Sequence, residues 1–162
     1  MTTSHQPLVP RRPGAVRGDR GGRTAVIAFR AFRDLYRDAY LAYATARLGS
    51  HGPAEQVVDD TLTALAVHWS SALGCSHPAA VAWRLLSSCV DAANGSPPRC
   101  PAGRPCAADA HVLRCHLRME STRAAELMGL SHGEFLVALR DAADPLPGAC
   151  SCHIRRARGV MV

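Results

Sequence analysis

The strongest constraint on the fold of this chain is a series of aromatic residues at helical spacing in its first third. They recur every three or four positions and form the set Phe29, Phe32, Tyr36, Tyr40 and Tyr43. This spacing places them on one face of a helix that ends near Gly49. Aromatic residues make up only 5% of the chain, whereas 48% of it is hydrophobic. Because Ala, Leu and Val must then fill most of the interior, we predict an all-α fold with close helix contacts.

Two further amphipathic helices follow the aromatic one. Pro53 suits the first position of the second helix, and Gly74 closes that helix. Its apolar residues repeat at intervals of three or four and are Val58, Leu62, Leu65, Trp69 and Leu73. Pro78 begins the third helix, which ends near Asn94. The three helices predict one helical domain over residues 25–94.

The stretch NGSPPRCPAGRPC separates this domain from the rest of the chain, because its Pro and Gly residues cannot sustain a helix or a central strand. We predict a flexible Pro/Gly-rich linker over residues 95–108 and a second small helical domain over residues 109–144, whose first helix spans 109–119. The Pro- and Gly-rich residues 1–24 predict a disordered basic arm. Residues 145–162 predict a flexible tail that contains Cys and Arg.

The positive charge of the chain lies mainly outside these two domains. The formal net charge is +6, and every basic residue is Arg. Residues 29–93 and 109–144 nevertheless carry more acidic than basic side chains. The total charge is therefore no evidence of a basic DNA-binding face on a folded domain, although the basic segments can attract phosphates without sequence preference.

The segment STRAAELMGLSHGEFLVALR, residues 121–140, has the pattern of a helix-turn-helix. Gly129 supplies the positive φ that the turn requires, and Ser131 with Glu134 forms a capping box at the start of the second helix. The residues expected to pack inside are Ala124, Ala125, Met128, Leu130, Phe135 and either Ala138 or Leu139. An ordinary helical hairpin is the alternative interpretation.

The order of these parts resembles a divergent, actinobacterial-type extracytoplasmic-function sigma factor of the sigma-70 family. The most specific likeness lies in AFRDLYRDAYLAYATARLGSHGPAEQVVDDTLTALAVHW, because family members open with F..LY......YA...LG, continue with AE and end the polymerase-binding helix in Trp. The likeness covers roughly residues 29–94 and 109–143. It implies a three-helix region 2 that binds core RNA polymerase and melts promoter DNA, and a region 4 whose helix-turn-helix reads the promoter.

The resemblance implies a polymerase-binding site on the second helix. Glu55, Gln56, Asp59 and Asp60 fall where the family uses acidic and Gln residues to contact the Arg-rich clamp helices of the polymerase. Family members more often carry Asp at the position of Gln56 and Gln at the position of Asp59. Because the two residue types are exchanged, this face of the helix stays acidic and able to form hydrogen bonds. The alternative is a solvated helix face near a helix N-terminus.

The resemblance also implies the DNA-binding residues Trp83, Arg84, Arg123, His132 and Arg140. The chain departs from the family here, because the third helix continues as RLLSSCVDAAN and the recognition helix reads GEFLVALRDAAD. Leu136, Val137 and Ala138 are expected at its exposed or half-exposed positions, and acidic residues there repel phosphate. One good contact between a side chain and a base contributes about 1–3 kcal/mol, which this helix mostly lacks.

The seven cysteines are odd in number and irregularly spaced, which favours reduced thiols without disulfides. Cys100, Cys106, Cys150, Cys152 and His153 can form a metal site only if the tail folds back on the linker, and their spacing differs from that of zinc sites. Incidental thiols are the preferred interpretation, and metal or redox sensing is the alternative. We predict no cofactor.

The sequence contains no phosphate-binding Gly loop, no nucleophile elbow and no His-Glu-X-X-His motif, so we predict that the protein is not an enzyme. No apolar run approaches the length of a membrane span, and we expect a cytoplasmic protein without membrane contact.

The first functional hypothesis is a sigma factor in transcription initiation that binds core RNA polymerase through region 2 and promoter DNA, weakly or with unusual specificity, through a degenerate region 4. The alternative is a sigma-like interaction protein without promoter recognition, which regulates by binding polymerase or another regulator. An anti-sigma protein or other regulatory protein is a further candidate partner. A third hypothesis is a DNA-binding regulator that does not contact polymerase.

Overall fold

The computed structural model describes residues 18–97 and 106–143, and this part of the chain is helical without β-strands. The all-α prediction is confirmed for these residues. The helices are α1 Gly18–Leu48, α2 His51–Val67, α3 Trp69–Leu73, α4 Pro78–Ala93, α5 Ala107–His111, α6 Ser121–Met128 and α7 His132–Ala143, with a π-helical turn at Val112–His116. None of the described helices combines the length and the apolar character that crossing a membrane requires.

The aromatic face of α1 forms the centre of the structure, as its spacing predicts. Tyr40 and Tyr43 are fully buried, and Phe32 is almost so. The Phe32 ring lies 4.9 Å from the ring of Trp69, and the Tyr43 ring lies 4.5 Å from that of Trp83. Aromatic pairs at these distances add to the hydrophobic burial of their rings. The face therefore joins α1 to α3 and α4.

The helix predicted from Pro53 to Gly74 is interrupted. It stops at Val67, and α3 begins at Trp69 after His68 leaves the helical conformation at φ −103° and ψ 10°. After this interruption Trp69 is buried against the aromatic face, whereas Leu73 remains 42% exposed. The helix is therefore interrupted at the point where the large Trp69 ring becomes buried, although the apolar periodicity of the sequence continues. The boundaries predicted for α4 are confirmed.

Two predicted boundaries are wrong. Helix α1 begins at Gly18, so the predicted disordered arm does not extend over residues 18–24. Extending an existing helix is much easier than nucleating one, and the packed part of α1 supplies the nucleus. The helix predicted over residues 109–119 is instead α5 followed by the π-helical turn, after which Arg118 adopts a positive φ of 53°. Residues 1–17 and 144–162 lie outside the described residues.

The described residues form an N-terminal block, residues 18–97, and a C-terminal block, residues 106–143. Helix α6 packs on α4, α5 and α6 pack on α7, and the π-helical turn contacts α1. Buried Leu113, Leu127 and Phe135 of the C-terminal block belong to the same hydrophobic core as the aromatic face. The two blocks thus share one core. The sigma-like two-domain organisation stays a prediction, and residues 98–105 of the predicted linker lie outside the described residues.

The closest approach of the two blocks occurs at Gly129, the turn residue between α6 and α7. A Cβ atom at this position would collide with the backbone nitrogen of Ala80 and lie 2.6 Å from its Cα. Gly129 also has a φ of 65°, which is unfavourable for residues with a side chain. The turn can therefore pack against the first turn of α4 only because residue 129 is glycine.

We predict that Gly129→Ala lowers the free energy of unfolding by more than about 2 kcal/mol. The left-handed conformation alone costs an alanine about 1–2 kcal/mol, and the collision with α4 adds to it. Gly133→Ala is the matched control, because a Cβ at Gly133 has no heavy atom within 4 Å. Urea unfolding of both variants is the measurement, and equal stabilities would contradict the close contact between the blocks.

Candidate polymerase and nucleic-acid interfaces

Helix α2 presents an acidic face to solvent and an apolar face to the core. The acidic face consists of Glu55, Gln56, Asp59 and Asp60, all of which are exposed. Two pairs in this set are four residues apart and therefore lie side by side along the helix. The opposite face is buried and consists of Ala54, Val58, Thr61, Leu62 and Leu65. The sequence thus positions the four predicted polymerase-binding residues on one accessible surface.

Two members of the acidic face have basic neighbours in the structure. Asp59 forms an ion pair with Arg37 of α1 at 3.0 Å, and Glu55 lies 3.8 Å from His51. The side chains of Asp59 and Glu55 are nevertheless 60% and 49% exposed. Exposed carboxylates can accept paired hydrogen bonds from an arginine of a partner. The arrangement suits a basic protein surface better than nucleic acid, whose phosphates it would repel.

Helices α6 and α7, where a helix-turn-helix is predicted, are joined by a well-defined turn. The Gly129 N–H donates to the Glu126 carbonyl at 3.0 Å, and the Leu130 N–H donates to the Ala125 carbonyl at 2.9 Å. These two hydrogen bonds are the Schellman arrangement that ends a helix at a left-handed glycine. The predicted inward residues are buried except Leu130, which is half-buried against the core; the buried ones are Ala124, Ala125, Met128, Phe135, Ala138 and Leu139.

Both helices of the motif begin with a side-chain cap. The Glu120 carboxylate accepts hydrogen bonds from the N–H groups of Thr122 and Arg123 at the start of α6. At the start of α7, the Ser131 N–H and hydroxyl donate to Glu134 at 2.8 and 2.7 Å, and the Glu134 N–H donates to the Ser131 hydroxyl at 3.2 Å. The predicted capping box is confirmed. The hydrogen bonds to the two carboxylates lower the pKa of each glutamate below its ordinary value.

The exposed surface of α7 is poor in groups that bind DNA. Val137 is 60% exposed and Leu136 is 38% exposed, whereas Ala138 is buried at 3%. Of the two positions predicted for Ala138, the inward one is confirmed and the exposed one is wrong, because Ala138 lies one turn from Phe135 and faces the core. The remaining exposed side chains near the apolar pair are His132, Glu134, Arg140 and Asp141. This surface combines apolar groups with two carboxylates and one arginine, whereas phosphate binding requires an excess of positive charge.

The other predicted DNA-binding residues are not brought together. Trp83 is only 3% exposed and packs on α1, so it is inaccessible to DNA in this arrangement. Arg84 is exposed, and its Nε donates to the Ala80 carbonyl at 3.2 Å. Arg123 lies at the contact between the blocks, where its Nη2 donates to the Leu35 carbonyl at 3.0 Å. The aromatic spacing of α1 buries Trp83 because Tyr40 and Tyr43 face it.

A buried ion cluster, which the sequence reasoning missed, connects the two blocks. The Arg47 guanidinium donates to Asp91 Oδ1 at 2.6 Å and to Asp109 Oδ1 at 2.7 Å. The Tyr43 hydroxyl donates to the same Asp109 oxygen at 2.6 Å. The three charged side chains are at most 5% exposed. Arg47 and Asp91 belong to the N-terminal block and Asp109 to the C-terminal block, so the cluster crosses the boundary between them.

Burial and charge shift the proton affinities within the cluster. Burial raises the pKa of Tyr43 far above its ordinary value, and the adjacent Asp109 raises it further. Burial alone lowers the pKa of Arg47, but Tyr43, Asp109 and Asp91 outweigh it, and the net pKa is raised. Tyr43 therefore stays neutral and donates its proton, while Arg47 stays charged. The sequence does contain a signal for this site, because Arg47 continues the aromatic spacing of α1 one turn after Tyr43.

The cysteines differ from the prediction in one respect. Cys106 is disulfide-bonded, so the assumption that the chain contains no disulfide is wrong. Cys75, Cys89 and Cys115 belong to no disulfide and are therefore not its partner. Within residues 18–97 and 106–143, no group of His, Cys, Asp and Glu is arranged to hold a metal ion. Of the alternative metal-site residues, Cys100, Cys150, Cys152 and His153 lie outside the described residues.

The chain matches no protein-family model, no curated protein and no solved structure. Two surfaces of the described residues are candidate interfaces for a partner, namely the acidic face of α2 and the exposed surface of α7.

We predict that Arg47→Ala lowers the free energy of unfolding by about 3–5 kcal/mol, because it removes the buried cation that pairs with both Asp91 and Asp109. Arg37→Ala serves as the matched control. It removes an arginine of the same helix whose ion pair with Asp59 is solvent-exposed, and such pairs contribute about 0–1 kcal/mol. Chemical denaturation of both variants measures the difference. Similar losses in the two variants would contradict a buried cluster.

We predict that the α7 cap weakens in acid. Because the hydrogen bonds from Ser131 hold the folded-state pKa of Glu134 below its ordinary 4.5, the cap is fully formed above pH 4.5 and is lost as the pH falls through the lower folded-state pKa. The chemical shift of the Ser131 amide, followed by NMR against pH, should report this transition. In Glu134→Gln the transition should disappear, whereas Asp141→Asn should retain it.

Proposed function

We propose that this protein is a sigma-like transcription regulator that acts in the cytoplasm by binding core RNA polymerase through the acidic face of α2. The observation that carries the proposal is the exposure of Glu55, Gln56, Asp59 and Asp60 on one side of a helix whose other side is fixed in the core. A rigid acidic surface of this kind complements an Arg-rich partner helix in charge and in hydrogen bonding. The family resemblance supplies the identity of that partner.

Promoter recognition through α6 and α7 is the second candidate function. The turn at Gly129 and the caps of both helices support it, because a helix-turn-helix requires two well-formed helices and a tight turn between them. The exposed surface of α7 argues against strong DNA binding, because apolar Leu136 and Val137 lie where phosphate and base contacts are needed. An apolar strip bordered by charges is better suited to contact with a protein. We therefore place polymerase binding first and promoter reading second, with a regulatory protein as a further partner.

We propose no catalytic activity and no cofactor for this chain. The exposed carboxylates of α2 lie side by side along one helix face, which is an arrangement suited to contact with a partner. The charged groups of the buried cluster have no access to a substrate, since Arg47, Asp91 and Asp109 are at most 5% exposed. Catalysis requires contact with the reacting atoms.

We predict that Asp60→Arg weakens binding to core RNA polymerase by about tenfold or more, because it places like charges opposite one another. Asp60 is preferred to Asp59, whose substitution would also break the ion pair with Arg37. Asp141→Arg on α7 makes the same change of charge away from the acidic face and should leave affinity nearly unchanged. Fluorescence anisotropy with purified core enzyme measures all three proteins.

The same preparations distinguish the two candidate functions when the polymerase complex is incubated with fragmented genomic DNA near physiological salt. Binding to core without sequence-selective capture supports the regulator that acts by protein contact. Focused capture of promoter fragments supports the sigma factor and would show that the protein acts through promoter recognition as well as polymerase binding. Absence of binding to core polymerase by the unaltered protein would overturn both.

A further inference from the structure

Helix α1 has a second surface on the side opposite its aromatic face. Its residues recur at helical spacing and point away from the core. We call this set the outer face, and it consists of Ile27, Arg30, Ala31, Asp34, Asp38 and Leu41. In its first half Ile27 is 62% exposed, and Ala31 one turn later is exposed as well. Neighbouring exposed apolar side chains indicate a site of protein contact.

The second half of the outer face is concave. A groove of about 530 Å³ lies between α1, the start of α2 and the residue that follows the π-helical turn. Its apolar lining comes from Leu41, Ala42, Ala46 and Leu117. Because Ala42 and Ala46 carry only methyl side chains, the groove is open along the helix. The outer face therefore has a projecting half and a recessed half.

The charges of the outer face change sign between its two halves. Arg30 is exposed beside the projecting Ile27, whereas Asp38 is exposed and lines the groove. Asp34 lies between the two halves, where Arg33 of the same chain is 3.8 Å away. Each half thus carries the shape and the charge that complement those of the other half.

The two halves cannot meet within one molecule. Leu41 follows Ile27 on the same continuous helix by about four turns, or roughly 21 Å along the axis. A second copy brings the halves together when two α1 helices pack antiparallel about a two-fold axis near Asp34. Ile27 of each copy then enters the groove of the other, and Arg30 lies opposite Asp38. Such a contact uses the same surface on both copies and closes at two molecules.

We propose that the outer face of α1 is a self-complementary surface through which two copies of this chain form a reversible homodimer. Helices commonly pack nearly antiparallel, at about 20° to one another. Asp34 faces its own copy at the two-fold axis, and the nearby Arg33 and Arg30 side chains offset this repulsion. One pair of helix faces is a small interface, so we expect a dissociation constant on the order of 10 µM. The inference is independent of the proposed function.

The first test exchanges charges between the two halves. Arg30→Asp and Asp38→Arg each place like charges opposite one another at both contacts of the dimer. Each variant alone should therefore dimerise about tenfold more weakly or worse. In an equimolar mixture of the two variants, opposite charges meet again in the mixed dimer, and affinity should return close to that of the unaltered protein. A change in folding cannot produce this recovery.

The second test removes the projecting apolar group. Ile27→Gln should weaken dimerisation by about tenfold or more, because both contacts lose their buried side chain. Val67→Gln is the matched control, since Val67 is 77% exposed but lies on α2, and it should leave dimerisation unchanged. Sedimentation velocity of the full-length proteins measures all variants over roughly a thousandfold range of concentration around the expected dissociation constant. Far-UV circular dichroism verifies that each variant retains its helices.

Photo-crosslinking determines the orientation of the two copies. Benzoylphenylalanine incorporated at Ile27 of the full-length protein keeps an apolar group there, and mixing with an isotope-labelled copy distinguishes crosslinks between chains. Crosslinks to residues 38–46 of the other copy are expected. Crosslinks between the two copies at residue 27 itself would instead indicate a parallel pair and overturn the proposed contact.

Three further outcomes would overturn the homodimer. The first is a protein that stays monomeric over the whole concentration range. The second is a dimer that neither Arg30→Asp nor Ile27→Gln weakens. The third is crosslinking only to residues 1–17 or 144–162 of the same chain, which would show that the chain covers its own outer face. Failure of the unaltered protein to bind core polymerase would overturn only the proposed function.

Discussion

The position of Arg47 between two aspartates from different parts of the chain is the constraint on which the arrangement of the helices depends. Its guanidinium can be buried only where Asp91 and Asp109 both meet it, since a buried charge without a partner is strongly unfavourable. This requirement fixes the ends of α1 and α4 and the start of α5 at one point. The hydrophobic core then continues from one block into the other at a single relative position of the two blocks.

The long helix α1 supplies both kinds of contact. Its aromatic residues pack against α3 and α4 within the N-terminal block, and one turn further the same face carries Arg47, which binds the C-terminal block. A single helical face thus changes from apolar to charged along its length. Since the aromatic rings require burial and the guanidinium requires partners, the two requirements together determine what must surround α1.

The two candidate interfaces differ in how their chemistry fits their shape. On α2, the exposed residues and the expected partner agree, because carboxylates and an amide face solvent from a helix anchored by its apolar side. On α7, Leu136 and Val137 occupy the exposed surface. This surface chemistry favours a protein partner over nucleic acid, because the shape of a helix pair alone does not bind phosphate.

Local sequence determined the elements of this fold: the aromatic face of α1, the start of α4 at Pro78, the turn at Gly129 and the cap formed by Ser131 and Glu134 each follow from the properties of residues close together in the chain. It also determined which side of α2 is acidic. Tertiary structure alone decided the break at His68, the burial of Trp83 and the pairing of Arg47 with Asp109, because these depend on residues far apart in sequence. Periodicity identifies the buried face of a helix, but it cannot identify the group that the face will meet.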